Sequence, residues 1–282
     1  MKNDFCVFIL TNGRPHKVVT HNTLARQNYT GEIFYIVDDE DQTLDEYIEL
    51  FGREKVYVFD KKAYADSVDE GNNFDDRRTI VHARNACFEA AKDLGFKYFL
   101  ELDDDYQEFD FRIDIDGGLA KPIKNLDSIF DKMIDFFNAI PCKSIALAQG
   151  GDFIGGINNG KRSYRFNKRK CMNSFLCSVD RPFQFIGSIN EDVNTYTLLA
   201  SRGDLFLTIP FASLTQRNTQ TQNKGMSDWY KKYGTYCKSF TSVMFMPSSI
   251  KIKVLNSSRR RLHHSIDWTK VTPQIIPESF KK

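Results

Sequence analysis

The sequence predicts an α/β protein with a central mixed β-sheet flanked by helices. Three observations lead there. Short, almost wholly apolar runs alternate with amphipathic segments in the N-terminal half, which means parallel strand-helix-strand units. Each run ends in turn-forming or acidic residues. The C-terminal half is richer in strand-like runs and shows no internal repeat or low-complexity linker, so the 282 residues, 41% of them hydrophobic, read as one continuous domain over 1–282.

Cys6 to Leu10 (CVFIL) suits a strand buried on both faces, closed by the turn-like Thr11-Asn12-Gly13-Arg14-Pro15. His16 to Asn28 carries a helical pattern, and Tyr29-Thr30-Gly31 separates it from a second apolar run, Ile33 to Val37. That run stops at Asp38-Asp39-Glu40-Asp41. Leu44 to Phe51 reads as a helix, Val56 to Phe59 as a third strand, and Ala63 to Asp76 as a polar loop. Arg78 to Leu94 is a helix with Ala and other apolar residues on its inner side, and Gly95 is its natural stop. Tyr98 to Leu102 is a strand running into Asp103-Asp104-Asp105. Acidic clusters just past strand ends lie where open α/β sheets bind ligands, so this half reads as a Rossmann-like nucleotide-binding region. It lacks both the G-x-G-x-x-G and the G-x-x-x-x-G-K-[ST] fingerprints. Further on, Leu126 to Ile140 is an amphipathic helix. Ser144 to Ala148, Asn173 to Ser178, Phe183 to Gly187, Leu205 to Ile209, Ser239 to Met246 and Ile250 to Leu255 read as strands.

The formal net charge of +2 conceals a division. Residues 1–116 hold 14 basic and 26 acidic side chains, and residues 117–282 hold 25 and 11. Such asymmetry points to a nucleic-acid or membrane-facing part. The six cysteines show no metal-ligand spacing and the chain opens without a signal-peptide pattern, so a reduced, intracellular protein is expected. No apolar run reaches the roughly 18 residues of a membrane span.

Four clusters can carry chemistry. Asp103 and Asp105, alternate residues after a buried strand, project to one side and suit Mg²⁺ or Mn²⁺ held with a substrate diphosphate; the alternative is a solvated turn in which Asp104 caps the next element. Asp38 and Asp39 can accept hydrogen bonds from a nucleoside or cap a helix. Arg84 lies in an apolar helix face, where an unpaired cation is costly, so it pairs with a carboxylate or with substrate; Arg77, Arg78 and Arg84 cannot all share one face. In Asn190-Glu191-Asp192 either carboxylate can serve as a general base, and the same residues suit a helix N-terminus capped by Asn190. Near the end, Arg259-Arg260-Arg261-Leu262-His263-His264 fits a single His completing a divalent-metal shell with arginines on phosphates, or a basic solvated tail.

The order of motifs, strand-TNGRP, strand-DDED, RRTIVHARNACFEAAKDLG, strand-ELDDDY, INEDVNTY and RLHHSIDW, resembles the TET-associated glycosyltransferases over about residues 5–280. This is a GT-A-fold family of tailed bacteriophages, related to a glycosyltransferase-like region of some animal nuclear proteins. The resemblance implies an α/β GT-A (Rossmann-like) fold and a metal-dependent, inverting enzyme. Its substrates would be a nucleoside-diphosphate sugar, UDP-glucose or UDP-arabinose, and the hydroxymethyl group of a modified pyrimidine, 5-hydroxymethylcytosine foremost, in phage DNA. The setting would be the cytoplasm of the infected bacterial host, with no membrane partner.

It further implies that Asp103 and Asp105 hold Mn²⁺ or Mg²⁺ with His263 or His264. Thr11, Asn12, Arg14, Asp38 and Asp39 would hold the donor, with Arg78, Arg84 and Asp104 beside them. Asp192 would be the base, with Glu191 kept open. Residues 1–116 then form the donor and metal half, and 117–282 the acceptor half. Lys161, Arg162, Arg165, Lys168, Arg169 and Lys170, interleaved with Tyr164 and Phe166, have a composition suited to DNA phosphates and base stacking. The competing readings are a transferase with a glycan or protein acceptor and a catalytically inactive module that only binds DNA.

Overall fold

An N-terminal strand buried on both faces sets the architecture of this computed structural model. It describes residues 2–71, 77–112, 120–149, 170–216, 235–256 and 260–271. In β1 (Phe5–Leu10), Phe5, Val7 and Ile9 enter one core cluster, while Cys6, Phe8 and Leu10 enter another. A strand apolar on both faces needs cover on both. Helices α1 (Val19–Arg26), α2 (Leu44–Phe51) and α5 (Leu126–Ala139) supply residues to the first cluster, and α4 (Val81–Asp93) and α6 (Glu191–Ser201) to the second.

Among the described residues, nine strands form the main sheet, in the order β3-β2-β1-β4-β8-β7-β9-β5-β6. These are β2 (Glu32–Asp38), β3 (Val56–Phe59), β4 (Tyr98–Asp103), β5 (Tyr106–Arg112), β6 (Ala120–Pro122), β7 (Cys142–Gln149), β8 (Ser174–Ser178) and β9 (Leu205–Gln216). Pairing is parallel from β3 to β4 and between β7 and β9, and antiparallel at β4/β8, β7/β8, β5/β9 and β5/β6. The mixed sheet flanked by helices is the predicted fold class, and it draws strands from both sides of residue 116. A separate antiparallel ribbon joins β10 (Ile250–Asn256) to β11 (Arg260–Ile266). No helix among the described residues is long and apolar enough to cross a membrane.

Helix α4 stops where expected: Gly95 has φ +80°, and Phe96 N–H returns to the carbonyl of Ala91 at 2.8 Å. Other expectations need correction. Ser239–Met246 is not a strand; it lies in helix α7 (Thr235–Phe245), whose Ser239 and Ser242 face inward while Tyr236, Phe240 and Met244 are exposed at helical spacing. Its aromatic and β-branched residues imitate a strand locally, and packing selects the helical period. Phe183–Gly187 is not a strand either, because side chains take its backbone groups. Asn85 accepts from Phe185 N–H (2.8 Å) and donates to the Phe185 carbonyl (3.0 Å), and Thr195 Oγ1 accepts from Ile186 N–H (3.1 Å). The loop expected from Ala63 begins as helix α3 (Lys61–Ser67), whose N-cap Asp60 accepts from Ala63 N–H. Strands β5, β6 and β11 carried too weak an apolar alternation to be read from sequence.

Gly187 governs the approach to α6. It has φ +82°, and a Cβ there would collide with the Asn194 amide and come within 2.8 Å of Phe245. The Asn194 amide in turn donates to the Ile189 carbonyl at 2.9 Å, bracing the turn into the helix. Gly187→Ala is expected to lower stability by about 1–3 kcal/mol, read as a shifted urea midpoint at unchanged m-value; an unshifted midpoint would show that this turn tolerates a side chain.

Candidate active site

Parallel pairing brings the C-terminal ends of β1, β2 and β4 side by side, with Leu10 opposite both Ile36 and Asp103. The turn after β4 is clamped from α1. Thr20 N–H donates to the Asp104 carbonyl (3.1 Å), and Thr20 Oγ1 donates to the Asp103 carbonyl (2.6 Å) while accepting from Tyr106 N–H (2.9 Å). The three carboxylates then reach different partners. Asp103 Oδ1 accepts from Arg84 (3.1 Å), Asp104 Oδ2 from Thr11 Oγ1 and Arg14 Nε (both 2.7 Å), and Asp105 Oδ1 from Gln216 Nε2 at the end of β9 (2.9 Å). Asp104 is buried and tied back to the β1 loop, so it braces that loop rather than capping a following element.

Arg84 is the hub. Only 1% of its side chain is exposed, and its nitrogens meet Asp103, Glu101 (3.4 Å) and Glu191 (3.1 Å) while Phe175 stacks 4.8 Å from its guanidinium carbon. Burial works against its charge, but Asp103, Glu191 and Glu101 overcome that and raise its pKa. The acids respond in kind. Burial pushes Glu101 up to about 8 and Asp103 to about 7, the latter with a further push from Asp105 and Glu191, despite the opposing pull of Arg84. Of the two partners expected for Arg84, carboxylate or substrate, the carboxylates are present. Its burial leaves no surface for direct donor contact.

Through Glu191, Arg84 fixes the start of α6. Asn190 adopts a left-handed conformation (φ +54°) and makes no capping bond with its side chain, contrary to the expectation; its amide instead donates to the Lys238 carbonyl and Ser242 Oγ of α7. Asp192 is buried and accepts from Val193 N–H at 2.7 Å. Burial first, and then the Glu191 charge, push its pKa up to about 6. A carboxyl group poised there can exchange a proton near neutral pH.

At the C-terminal ends of β1 and β2, Asn12 donates to Asp38 (2.8 Å), Lys61 approaches Asp38 at 3.3 Å, and Asp39 accepts from Lys61 N–H. Tyr47, missed in the sequence, pairs its hydroxyl with Thr11 (2.8 Å) and accepts from Arg14 N–H (3.0 Å). Thr20, Gln216 and Glu101 were also missed, since each acts through a partner distant in sequence. Arg78 is exposed.

Among the described residues no three His, Cys, Asp or Glu side chains gather as a metal cage. Mg²⁺ held by one or two carboxylates and completed by substrate phosphates needs none. Asp103 and Asp105 fit that role: both are oxygen donors, and burial and neighbouring negative charge raise the pKa of each, a repulsion that a cation relieves. His263 and His264 are not gathered with them. Burial and the cationic Lys238 lower both imidazole pKa values, His264 to about 4, with Arg261 adding to the effect at His263. Of the basic run, positions 161, 162, 165, 168 and 169 lie outside the described residues. Lys170 is half-buried, and its carbonyl accepts from Thr208.

The sequence profile of the TET-associated glycosyltransferases matches residues 5–225. The chain belongs to this family. The match stops short of the expected 280, so β10 and β11 lie beyond it. This glycosyltransferase has the GT-A architecture that its motifs implied, with parallel β3-β2-β1-β4 extended by mixed strands. Similar solved structures include glucosyl-3-phosphoglycerate synthase from Mycobacterium tuberculosis with Mg²⁺ and UDP, at 10% identity and TM-score 0.46 over 94% of this chain and 88% of that one. S. aureus TarS 1–349 is similar at 13% identity and TM-score 0.43, over 82% of this chain and 63% of that one. No curated protein sequence matches.

Removing the hub cation leaves buried acids uncompensated. Arg84→Met is expected to cost about 3–5 kcal/mol in urea unfolding. A loss below about 1 kcal/mol would show that the acids relax by taking up protons, and that Arg84 is not what holds them together.

Proposed function

We propose that this glycosyltransferase moves a sugar from a nucleoside-diphosphate sugar, UDP-glucose or UDP-arabinose, to the hydroxymethyl group of 5-hydroxymethylcytosine or a similar pyrimidine in DNA. The observation that carries the reading is the Arg84 bridge: one guanidinium binds both Asp103, at the proposed donor end, and Glu191, next to the proposed base. Thr11, Asn12, Arg14, Asp38 and Asp39 line the strand ends where the nucleoside would lie. Asp103 and Asp105 would hold Mn²⁺ or Mg²⁺, which when bound stabilises the negative charge of the departing diphosphate.

Asp192 is the proposed base. Its carboxylate takes the proton of the acceptor hydroxymethyl group, whose oxygen bonds to the anomeric carbon as the bond from that carbon to the diphosphate oxygen breaks. Direct attack inverts the anomeric centre. Glu191 is occupied by Arg84 and acts by position and field. The cation-rich stretch from Lys161 to Lys170 is assigned to acceptor phosphates on its composition, and the base reaches the site by flipping out of a duplex or from a single strand.

Purified protein with Mn²⁺ and a panel of UDP-sugars should add the mass of one sugar to nucleosides from 5-hydroxymethylcytosine-containing DNA. Transfer only to a glycan or protein, or DNA binding without any sugar-nucleotide cleavage, would replace this reading with another. Asp105→Ala should abolish metal-dependent donor binding by calorimetry; unchanged affinity would remove the metal assignment. The base works deprotonated, so kcat/KM should fall with decreasing pH through about 6, the value to which burial raises Asp192. Asp192→Asn should lower kcat about 10²–10⁴-fold; a retained acid limb at near-normal rate would exclude Asp192 as the base.

A further inference from the structure

The β10–β11 ribbon carries a charge pattern that neither the metal nor the donor explains. Antiparallel register sets Lys251 opposite Ser265, and Lys253 opposite His263, with Arg261 next along the same face. Directly opposed and diagonal residues of such a pair share one face of the sheet. The other face presents Ile250, Ile252, His264 and Ile266. Ile250 is 1% exposed and joins the core cluster beside α6, with Ile266 packed against it.

Lys251, Lys253 and Arg261 are exposed, and among the described residues none forms an ion pair within 4.0 Å. Lys251 acts on Asp267, just past the end of β11. Cations gathered on one face with no acid among them repel one another, and folding alone does not call for that arrangement.

Position gives the charge its meaning. Ser239 of α7 donates to the Leu262 carbonyl of β11 at 3.0 Å, and the same helix receives the Asn190 amide from the start of α6. The charge of Lys238 acts on both Asp192 and His263. The ribbon is therefore fastened, through one helix, to the element that carries the proposed base. A two-stranded ribbon is also a shape that the major groove admits, and the 5-position of a pyrimidine faces that groove.

Resting on the DNA-acceptor reading above, we propose that the Lys251/Lys253/Arg261 face of the ribbon is a docking surface for the acceptor, gripping the phosphodiester backbone of duplex DNA around the modified base. It would act in addition to the 161–170 stretch and independently of it.

The test compares the protein, a Lys251→Ala/Lys253→Ala/Arg261→Ala variant, and a control with the same charge loss from β6 to α5 (Lys121→Ala/Lys124→Ala/Lys132→Ala). Binding of each to a 5-hydroxymethylcytosine duplex is measured from 50 to 200 mM salt. Three lost phosphate contacts make the slope of log K against log salt shallower by about 2.7, so the wild-type affinity loss across that fourfold range shrinks by roughly 40-fold. The control keeps the wild-type slope. UDP-sugar hydrolysis and the melting temperature of the ribbon variant should match wild type, and Lys253→Ala alone should lose about 0.9 of slope. A ribbon variant with wild-type slope, while wild type still glycosylates the duplex, overturns the docking surface and leaves these lysines as edge charges that keep a two-stranded sheet from pairing with another chain. Equal shallowing in the control overturns it too, as an effect of net charge. Wild type that neither binds nor modifies the duplex overturns the acceptor reading itself.

Discussion

A single buried cation holds the site together. Arg84 sits in a helix face packed with alanines, and burial of a guanidinium there is tolerable only because Glu101, Asp103 and Glu191 come from two other elements to meet it. Glu101 and Asp103 are fixed by β4, and Glu191 by the first turn of α6. The guanidinium therefore ties the sheet to the later half of the chain at the point where the chemistry is proposed. Its aromatic neighbours Phe175 and Phe185 exclude water from the bridge, which strengthens attraction and repulsion alike.

That balance leaves the acids short of positive charge. One cation faces three carboxylates directly, and Asp105 and Asp192 lie within electrostatic range of the group. Burial first, and then neighbouring negative charge, raise the pKa values of Glu101, Asp103 and Asp192. If Asp103 and Asp105 hold a divalent ion as proposed, that ion would bring the missing charge to a turn already set by Thr20 and Gln216. Little rearrangement would then be needed, which is what preorganisation means in electrostatic terms.

Much of this was legible in the chain, for identifiable reasons. The strands β1 to β4 are short, almost wholly apolar runs with abrupt acidic or turn-forming ends, so both the parallel sheet and the position of Asp103 and Asp38 could be read. The need of Arg84 for an acidic partner followed from its place on an apolar face, but which acids would meet it depends on contacts up to 107 residues away in sequence. Helix α7 was misread because its aromatic and β-branched residues favour a strand locally, whereas the inward serines that bind Asn190 and β11 make sense only once those partners are present. Asn190 looked like a cap; its left-handed backbone and its bond to α7 have no local signature.

The way Arg84 is surrounded also limits how the protein can drift. Losing the cation alone strands several acids, and losing one acid alone leaves the remainder in altered balance, so the effects of such changes do not add. An apolar replacement of the whole cluster would pack acceptably, yet the intermediate sequences on the way to it are each worse than either end. The cluster can therefore be exchanged only in concert. A lineage that stopped using the sugar donor would be expected to keep Arg84 and its acids long after Asp105, which is exposed to no such lock, had been free to change.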